Sequence, residues 1–222
     1  MKVLITDPIT ESGLKIIKNY GLEIVYMPEA SESEKYKAAN NVDGWIIRSG
    51  TKINKDAIVS SKNLKVIGRA GVGVDNIDIP EATRRGIVVL NTPDVNTISA
   101  AEHTIGLILA ISRNIHLGHQ GLQKGEWNRN ILIGSELQNK TIGIVGLGKI
   151  GREVISRCIV FGMKILGYDP FVNQEMFDEN KTIITDLNSL VKNSDYISVH
   201  VPLNAKTKNL FNYDLLSLMK SS

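Results

Sequence analysis

The sequence predicts an α/β protein: a doubly wound parallel sheet, truncated, preceded by a second, smaller α/β domain. Three observations predict it. Short apolar, β-branched runs alternate with helical stretches over the 222 residues. Three glycines at G-x-G-x-x-G spacing follow one such run, and an acidic residue closes the next. Alternation of this kind builds a parallel sheet covered on both faces.

Taken in chain order, Val3 to Thr6 is a short strand. A helix begins at Thr10, with Leu14, Ile17 and nearby Ile16 sharing a face, and Gly21 ends it. Leu22 to Tyr26 is a strand, Ser31 to Ala39 a polar helix, and Gly44 to Arg48 a strand. Asn54 to Ser60 is a short helix and Leu64 to Arg69 another strand. Ile79 to Arg85 is helical, stopped by Gly86, and Ile87 to Leu90 is a strand. Ligands of such sheets gather at the C-terminal ends of the strands. That rule directs attention to Arg48-Ser49-Gly50-Thr51 and to the stretch from Arg69 to Asn76.

Spacing alone leaves two readings of the second stretch. Gly71 and Gly73, straight after a buried strand, can expose backbone N–H groups as an anion nest, helped by Arg48 and Arg69. Alternatively it is a plain strand-to-helix turn, with Asp75 or Asp78 capping the next helix.

Residues 91–97 form a turn-rich linker, and Thr97 or Ser99 can cap the helix after it. That long helix runs to about Ile115, apolar on nearly all sides from Ala101 to Ile111, which requires burial against the sheet or another subunit. Gln120 to Gln138 reads as irregular, an arm over a partner.

The stretch TIGIVGLGKIGREVISRCIVFGMKILGYDP (141–170) is the centre of the chain. Gly146 allows the tight strand-to-helix turn, Gly148 lets a pyrophosphate approach the backbone, and Gly151 lets helix and strand pack closely. Asp169 lies 18 residues after Gly151 (169 minus 151), where its carboxylate accepts the ribose hydroxyls and repels a 2′-phosphate. The sequence therefore predicts a Rossmann-like NAD site. Asp186 to Asn193 is helical, Tyr196 to Val201 a strand, Tyr213 to Lys220 helical, with a short edge strand around Thr182–Ile184.

Composition bounds the function. The net charge of +3 (26 minus 23) is small and dispersed, with no basic block, so a nucleic-acid partner is not expected. No uninterrupted apolar run approaches the ~18 residues of a membrane span. The N-terminus leads straight into a strand without a signal-peptide pattern. The single cysteine, Cys158, cannot form an internal disulfide and reads as a core thiol; the expected compartment is the cytoplasm. No metal site is expected.

With these motifs in hand, the chain resembles the D-isomer-specific 2-hydroxyacid dehydrogenases. The blocks that carry the resemblance are IIRSGTKIN (46–54), IGRAGVGVDNIDIPEATRRGIVVLNTPDVNT (67–97), GIVGLGKIGRE (143–153) and GYDP (167–170), with SVHVPL (198–203) in support. The resemblance implies a flavodoxin-like substrate-binding domain over 1–95 and an NAD-binding domain over 96–222, incomplete at its C-terminus. It implies reversible hydride transfer between NAD and the hydroxyl-bearing carbon of 3-phospho-D-glycerate. The alternatives are a sister enzyme for glyoxylate or hydroxypyruvate, or a fragment that binds NAD without chemistry.

Residue by residue, the resemblance places Arg48, Ser49, Arg69, Val72 and Gly73 at the substrate. It places Val72 also at the nicotinamide, Lys149 and Ile150 with Gly146, Gly148 and Gly151 around the pyrophosphate, and Asp169, Val201 and Pro202 beside the adenosine. Asn96 and Thr97 fall at the interdomain cleft, and the apolar helix 97–115 with its following arm implies a homodimer. The family's catalytic arginine, acid and histidine follow the strand expected after Ser222, so no catalytic residue is assigned within 1–222. The chain is expected to be the N-terminal two-thirds of such an enzyme and inactive alone. Its histidines, His103, His116, His119 and His200, read as structural.

Overall fold

The computed structural model describes residues 1–221. The chain divides into two compact units, Met1–Asn96 and Thr97–Ser222.

The first unit alternates β1 (Lys2–Ile5), α1 (Glu11–Asn19), β2 (Glu23–Tyr26), α2 (Glu32–Ala39), β3 (Gly44–Ile47), α3 (Lys55–Ser60), β4 (Val66–Arg69), α4 (Ile79–Arg84) and β5 (Val88–Asn91). Its five strands are all parallel, in the order β2-β1-β3-β4-β5. This is the flavodoxin-like order, with its switch point between β1 and β3. The core runs through Leu4, Trp45, Ile47 and Ile67 on the strands to Ala57, Ile58 and Ala82 on the helices.

Local chemistry explains where the helices start. Thr10, Ser31, Asn54 and Asp78 each accept a backbone N–H bond as N-caps of α1 to α4, and Ser31 with Glu34 forms a full capping box. Asp78 is thus the cap before Ile79, whereas Asp75 pairs with Arg69. One detail differs from the sequence reading. Leu14 and Ile17 are half-buried and Ile16 is 59% exposed, because a residue two positions after Leu14 lies about 200° around the helix from it.

The second unit opens with α5 (Thr97–Ser112) and α6 (Ile115–Gln123), then a 3₁₀ turn, Arg129–Leu132. β6 (Thr141–Val145), α7 (Lys149–Val160), β7 (Lys164–Tyr168), β8 (Thr182–Ile184), α8 (Leu187–Asn193), β9 (Tyr196–Val199) and α9 (Tyr213–Leu216) come after it. The strands are parallel in the order β8-β7-β6-β9, which is 3-2-1-4 of a nucleotide-binding half. Gly143 in mid-β6 has a structural cause: a Cβ there would stand 2.3 Å from Leu190 and 2.5 Å from the Ser194 hydroxyl, so its absence lets α8 lie close.

Several expectations are corrected here. α5 begins at Thr97 itself, so Thr97 is its first residue and not its cap. Within this chain it is buried on one side, as expected, where Ala101 and Ile108 join Val154, Ile155 and Cys158 of α7 in one core, and Leu107 (51%) and Ile111 (63%) face outward. The stretch 120–138 is not wholly irregular, since α6 reaches Gln123. Asn114 in the left-handed region (φ 53) turns the chain into it, held by bonds from its amide nitrogen to the Ile131 and Ile133 carbonyls. β9 ends at Val199 and α9 at Leu216, short of the expected ends. Among the described residues no helix is long and apolar enough to cross a membrane.

Candidate functional site

In the first unit, the loops after β3 and β4 face a common cavity of about 510 Å³. Its lining includes Arg48, Ser49, Arg69, Val72, Gly73 and Asn96, so all five residues expected at the substrate meet there, together with one expected at the cofactor. The two arginines differ. Arg48 is exposed and its guanidinium donates to the Pro8 carbonyl at 3.3 Å. Arg69 is 10% exposed and folds back into its own loop, donating to the Gly73 carbonyl and lying 3.7 Å from the Asp75 carboxylate. Its Nε–H is buried without a partner.

This explains the glycines. A Cβ at Gly73 would stand 2.7 Å from Asp75 and 2.9 Å from the Arg69 guanidinium, so the loop closes around the charged pair only with glycine there. The Gly71 amide donates to the Arg69 carbonyl, which makes the segment a tight turn as well as a cavity wall.

In the second unit, β6 leads into the glycine loop. Gly146 has φ +96, and a Cβ on it would lie 2.5 Å from the His200 carbonyl oxygen. A Cβ on Gly151 would lie 2.1 Å from the Gly146 carbonyl oxygen. At Gly148 nothing stands within 4 Å of that position, so this glycine faces open space. It is also the N-cap of α7 and makes no side-chain cap bond, with Lys149, Ile150 and Gly151 in the first turn. An open glycine at the start of a twelve-residue helix is the arrangement that takes a pyrophosphate.

Asp169 follows β7. One carboxylate oxygen accepts the Leu147 N–H at 2.9 Å and the other the Phe171 N–H at 3.0 Å. Each carboxylate oxygen has a second lone pair, so these bonds leave capacity for hydroxyl donors. Val201 and Pro202 follow β9, and the Val201 side chain would be 2.9 Å from a Cβ on Gly146. His200 is half-buried with its Nε2 2.8 Å from the Ser198 hydroxyl, and burial holds its pKa below the ordinary value. His103, His116 and His119 are exposed.

Sequence reading pointed to the stretches that hold Thr51 and Asn76 without giving either residue a role, and it did not single out Asp7 or Arg152. Arg152 donates its Nε–H to the Leu147 carbonyl at 3.0 Å and stacks 4.6 Å over the Phe177 ring. Its position right after the last glycine was the available signal.

A parallel 3-2-1-4 sheet with this loop at its first strand defines a dinucleotide-binding α/β protein. The comparisons narrow the class. Residues 105–222 match the model of the D-isomer specific 2-hydroxyacid dehydrogenase NAD-binding domain. The chain is 43% identical over 223 aligned positions to a D-3-phosphoglycerate dehydrogenase of Methanocaldococcus jannaschii, covering 100% of this chain and 42% of that protein. It is 43% identical over 220 positions to the Archaeoglobus fulgidus protein of the same name, covering 99% and 42%. Among solved structures, an NAD-dependent formate dehydrogenase of Staphylococcus aureus, in complex with NAD, superposes with a TM-score of 0.89 at 32% identity, covering 99% of this chain and 71% of that one. The chain belongs to the D-isomer-specific 2-hydroxyacid dehydrogenases, and its cofactor is NAD. It spans 42% of the length of the first curated relatives it matches.

Proposed function

We propose that this chain carries the NAD-binding and substrate-recognising parts of an enzyme that oxidises 3-phospho-D-glycerate to 3-phosphohydroxypyruvate, opening the phosphorylated route to serine. The observation that carries the reading is the gathering of Arg48, Ser49, Arg69, Val72 and Gly73 around one cavity. The names of the relatives support it.

On this reading residues 1–95 bind the hydroxy acid and 96–222 the cofactor. Bound NAD supplies the acceptor for the hydride that leaves the hydroxyl-bearing carbon. The amides of Gly148, Lys149 and Ile150 receive the pyrophosphate, with Gly146 and Gly151 setting the turn. Asp169 accepts the ribose hydroxyls, Val201 and Pro202 wall the adenosine, and Val72, Asn96 and Thr97 are further candidates for contact with the cofactor. The Arg48 guanidinium and the Val72-Gly73 amides take the anionic ends of the substrate, because a planar guanidinium matches phosphate or carboxylate in two bonds. As the hydroxyl becomes a carbonyl, its proton must pass to a base. Among the described residues, the cavity lining contains no histidine or carboxylate suited to that step. No residue lining this cavity is assigned that step.

The inward fold of Arg69 favours a second reading, in which one engaged and one available guanidinium suit a smaller acid such as glyoxylate or hydroxypyruvate. The test is calorimetric titration of the chain with NAD and then with 3-phosphoglycerate, glycerate and glyoxylate. Preference for the phosphorylated acid, lost in Arg48→Ala, is the expected result; equal binding of glycerate selects the second reading.

We also propose a homodimer through the outward apolar side of α5 and the segment behind it, where Leu107, Ile111, Leu122, Trp127 and Ile133 are exposed. Light scattering should give twice the chain mass, and Ile111→Asp should give monomers.

A further inference from the structure

Two side chains outside the cavity lining hold its β3 loop from opposite sides. Asp7, just past β1, is 5% exposed. One of its oxygens accepts the Arg48 N–H at 2.5 Å and the Thr51 N–H at 3.1 Å, and the other lies 3.0 Å from the Thr51 hydroxyl. Gly50 wraps this carboxylate closely, since a Cβ there would be 2.7 Å from Asp7 Oδ1. Asn76, in the loop after β4, donates its amide N–H groups to the carbonyls of the same two residues, Arg48 at 2.7 Å and Thr51 at 2.6 Å.

The division of labour follows from the chemistry of the two groups. A carboxylate only accepts, and it takes both N–H groups; an amide nitrogen only donates, and it takes both carbonyls. The loop 48–51 is thereby fixed at both ends and on both polar sides of its backbone. Below it, the Trp45 indole N–H donates to Thr6 Oγ1 at 2.9 Å, and that oxygen lies 3.0 Å from the Thr51 hydroxyl, so the clamp is anchored in the core. A four-residue loop with an exposed glycine would otherwise lose conformational freedom when a ligand binds, which weakens binding.

We propose that Asp7 and Asn76 are positioning residues for hydroxy-acid recognition, which preset the loop so that Arg48 and Ser49 meet the ligand already ordered. This rests on the reading that the 48–73 cavity takes the hydroxy acid. Both residues act through Arg48 and touch no ligand themselves.

The test is a double-mutant cycle on the whole chain, with 3-phosphoglycerate as probe and calorimetry as readout. Asp7→Ala removes the one oxygen that accepts both N–H groups, and it should weaken binding about tenfold. In the Arg48→Ala background the same change should add little, and NAD binding in the second unit should stay within twofold. An equal loss in both backgrounds would mean general damage and overturns the proposal. Asn76→Ala, at a less buried position, completes the same cycle if Asp7→Ala melts too low.

Amide hydrogen exchange decides the clamp independently of any ligand. The Arg48 and Thr51 amides should exchange slowly in the wild type and at least tenfold faster in Asp7→Ala. Unchanged exchange sinks the clamp. Normal binding by Arg48→Ala, with exchange responding as stated, sinks the cavity reading and the recognition role with it.

Discussion

The Asp169 carboxylate accepts the backbone N–H of Leu147 at 2.9 Å, joining the end of β7 to the glycine loop across 22 residues. The same peptide is held on its other side, where Arg152 donates to the Leu147 carbonyl at 3.0 Å. The Leu147 side chain is 1% exposed and packs in the core, so this residue is fixed at three points. Asp169 therefore shapes the loop in addition to its proposed contact with the ribose. Asp169→Ala should lower stability by about 1–3 kcal/mol even without cofactor, because the Leu147 and Phe171 amides lose their acceptor. Thermal unfolding of the cofactor-free chain checks this; an unchanged melting temperature would leave Asp169 with the cofactor role alone.

The glycines of the loop separate into two kinds. At Gly151, inside α7, helix propensity favours alanine by about 1 kcal/mol. Against that, the new Cβ would stand 2.1 Å from a backbone oxygen that cannot move aside without breaking the turn. Overpacking of this sort costs about 1–3 kcal/mol or more, so sterics wins and Gly151→Ala should destabilise. Gly148→Ala meets open space at φ −71, so it loses only the preference for glycine over alanine at an N-cap and should melt within about 1 kcal/mol of wild type. It should nevertheless weaken NAD binding at least tenfold, the methyl occupying the proposed pyrophosphate position. Paired melting and NAD-titration curves for the two variants check both claims; loss of stability in Gly148→Ala would contradict the division.

These contrasts show what a sequence can carry. The strands of both sheets were legible because runs such as Ile142-Gly143-Ile144-Val145 are apolar and bounded by turn residues, and Ser31 and Asn54 announce their helices by local chemistry. The glycine loop was legible for the same reason, as its geometry is set within six residues. α6 was not, since it contains Gly118 and Gly121 and its N-cap Asn114 makes no side-chain cap bond. The bonds of Asp7 and Asn76 could not be read, because their partner Arg48 lies 41 and 28 residues away. Nor could spacing reveal that Arg69 turns inward onto Gly73 and Asp75.

Cys158 lies wholly buried on the core face of α7, and burial pushes its thiol pKa up to about 11. The thiolate is the reactive form, so the native protein should resist alkylation at roughly pH 8. Iodoacetamide labelling followed by mass spectrometry should show modification only after denaturant is added. Rapid labelling of the native chain would mean that α7 opens away from the sheet.

The half-buried His200 links stability to pH. Burial lowers its pKa, so the folded chain binds a proton less readily than the unfolded chain does. Stability from this group is therefore fully present above the unfolded value of about 6.5 and is lost as pH falls through the lower folded value. The loss should be felt first near Gly146, against which the His200 carbonyl packs, and at Val145, whose carbonyl accepts the His200 N–H at 2.7 Å. Melting temperatures of wild type and His200→Gln, taken from roughly pH 7.5 down to 5, should converge as pH falls. Parallel curves across that range would show that His200 binds its proton equally well folded and unfolded, its charge being accommodated without cost.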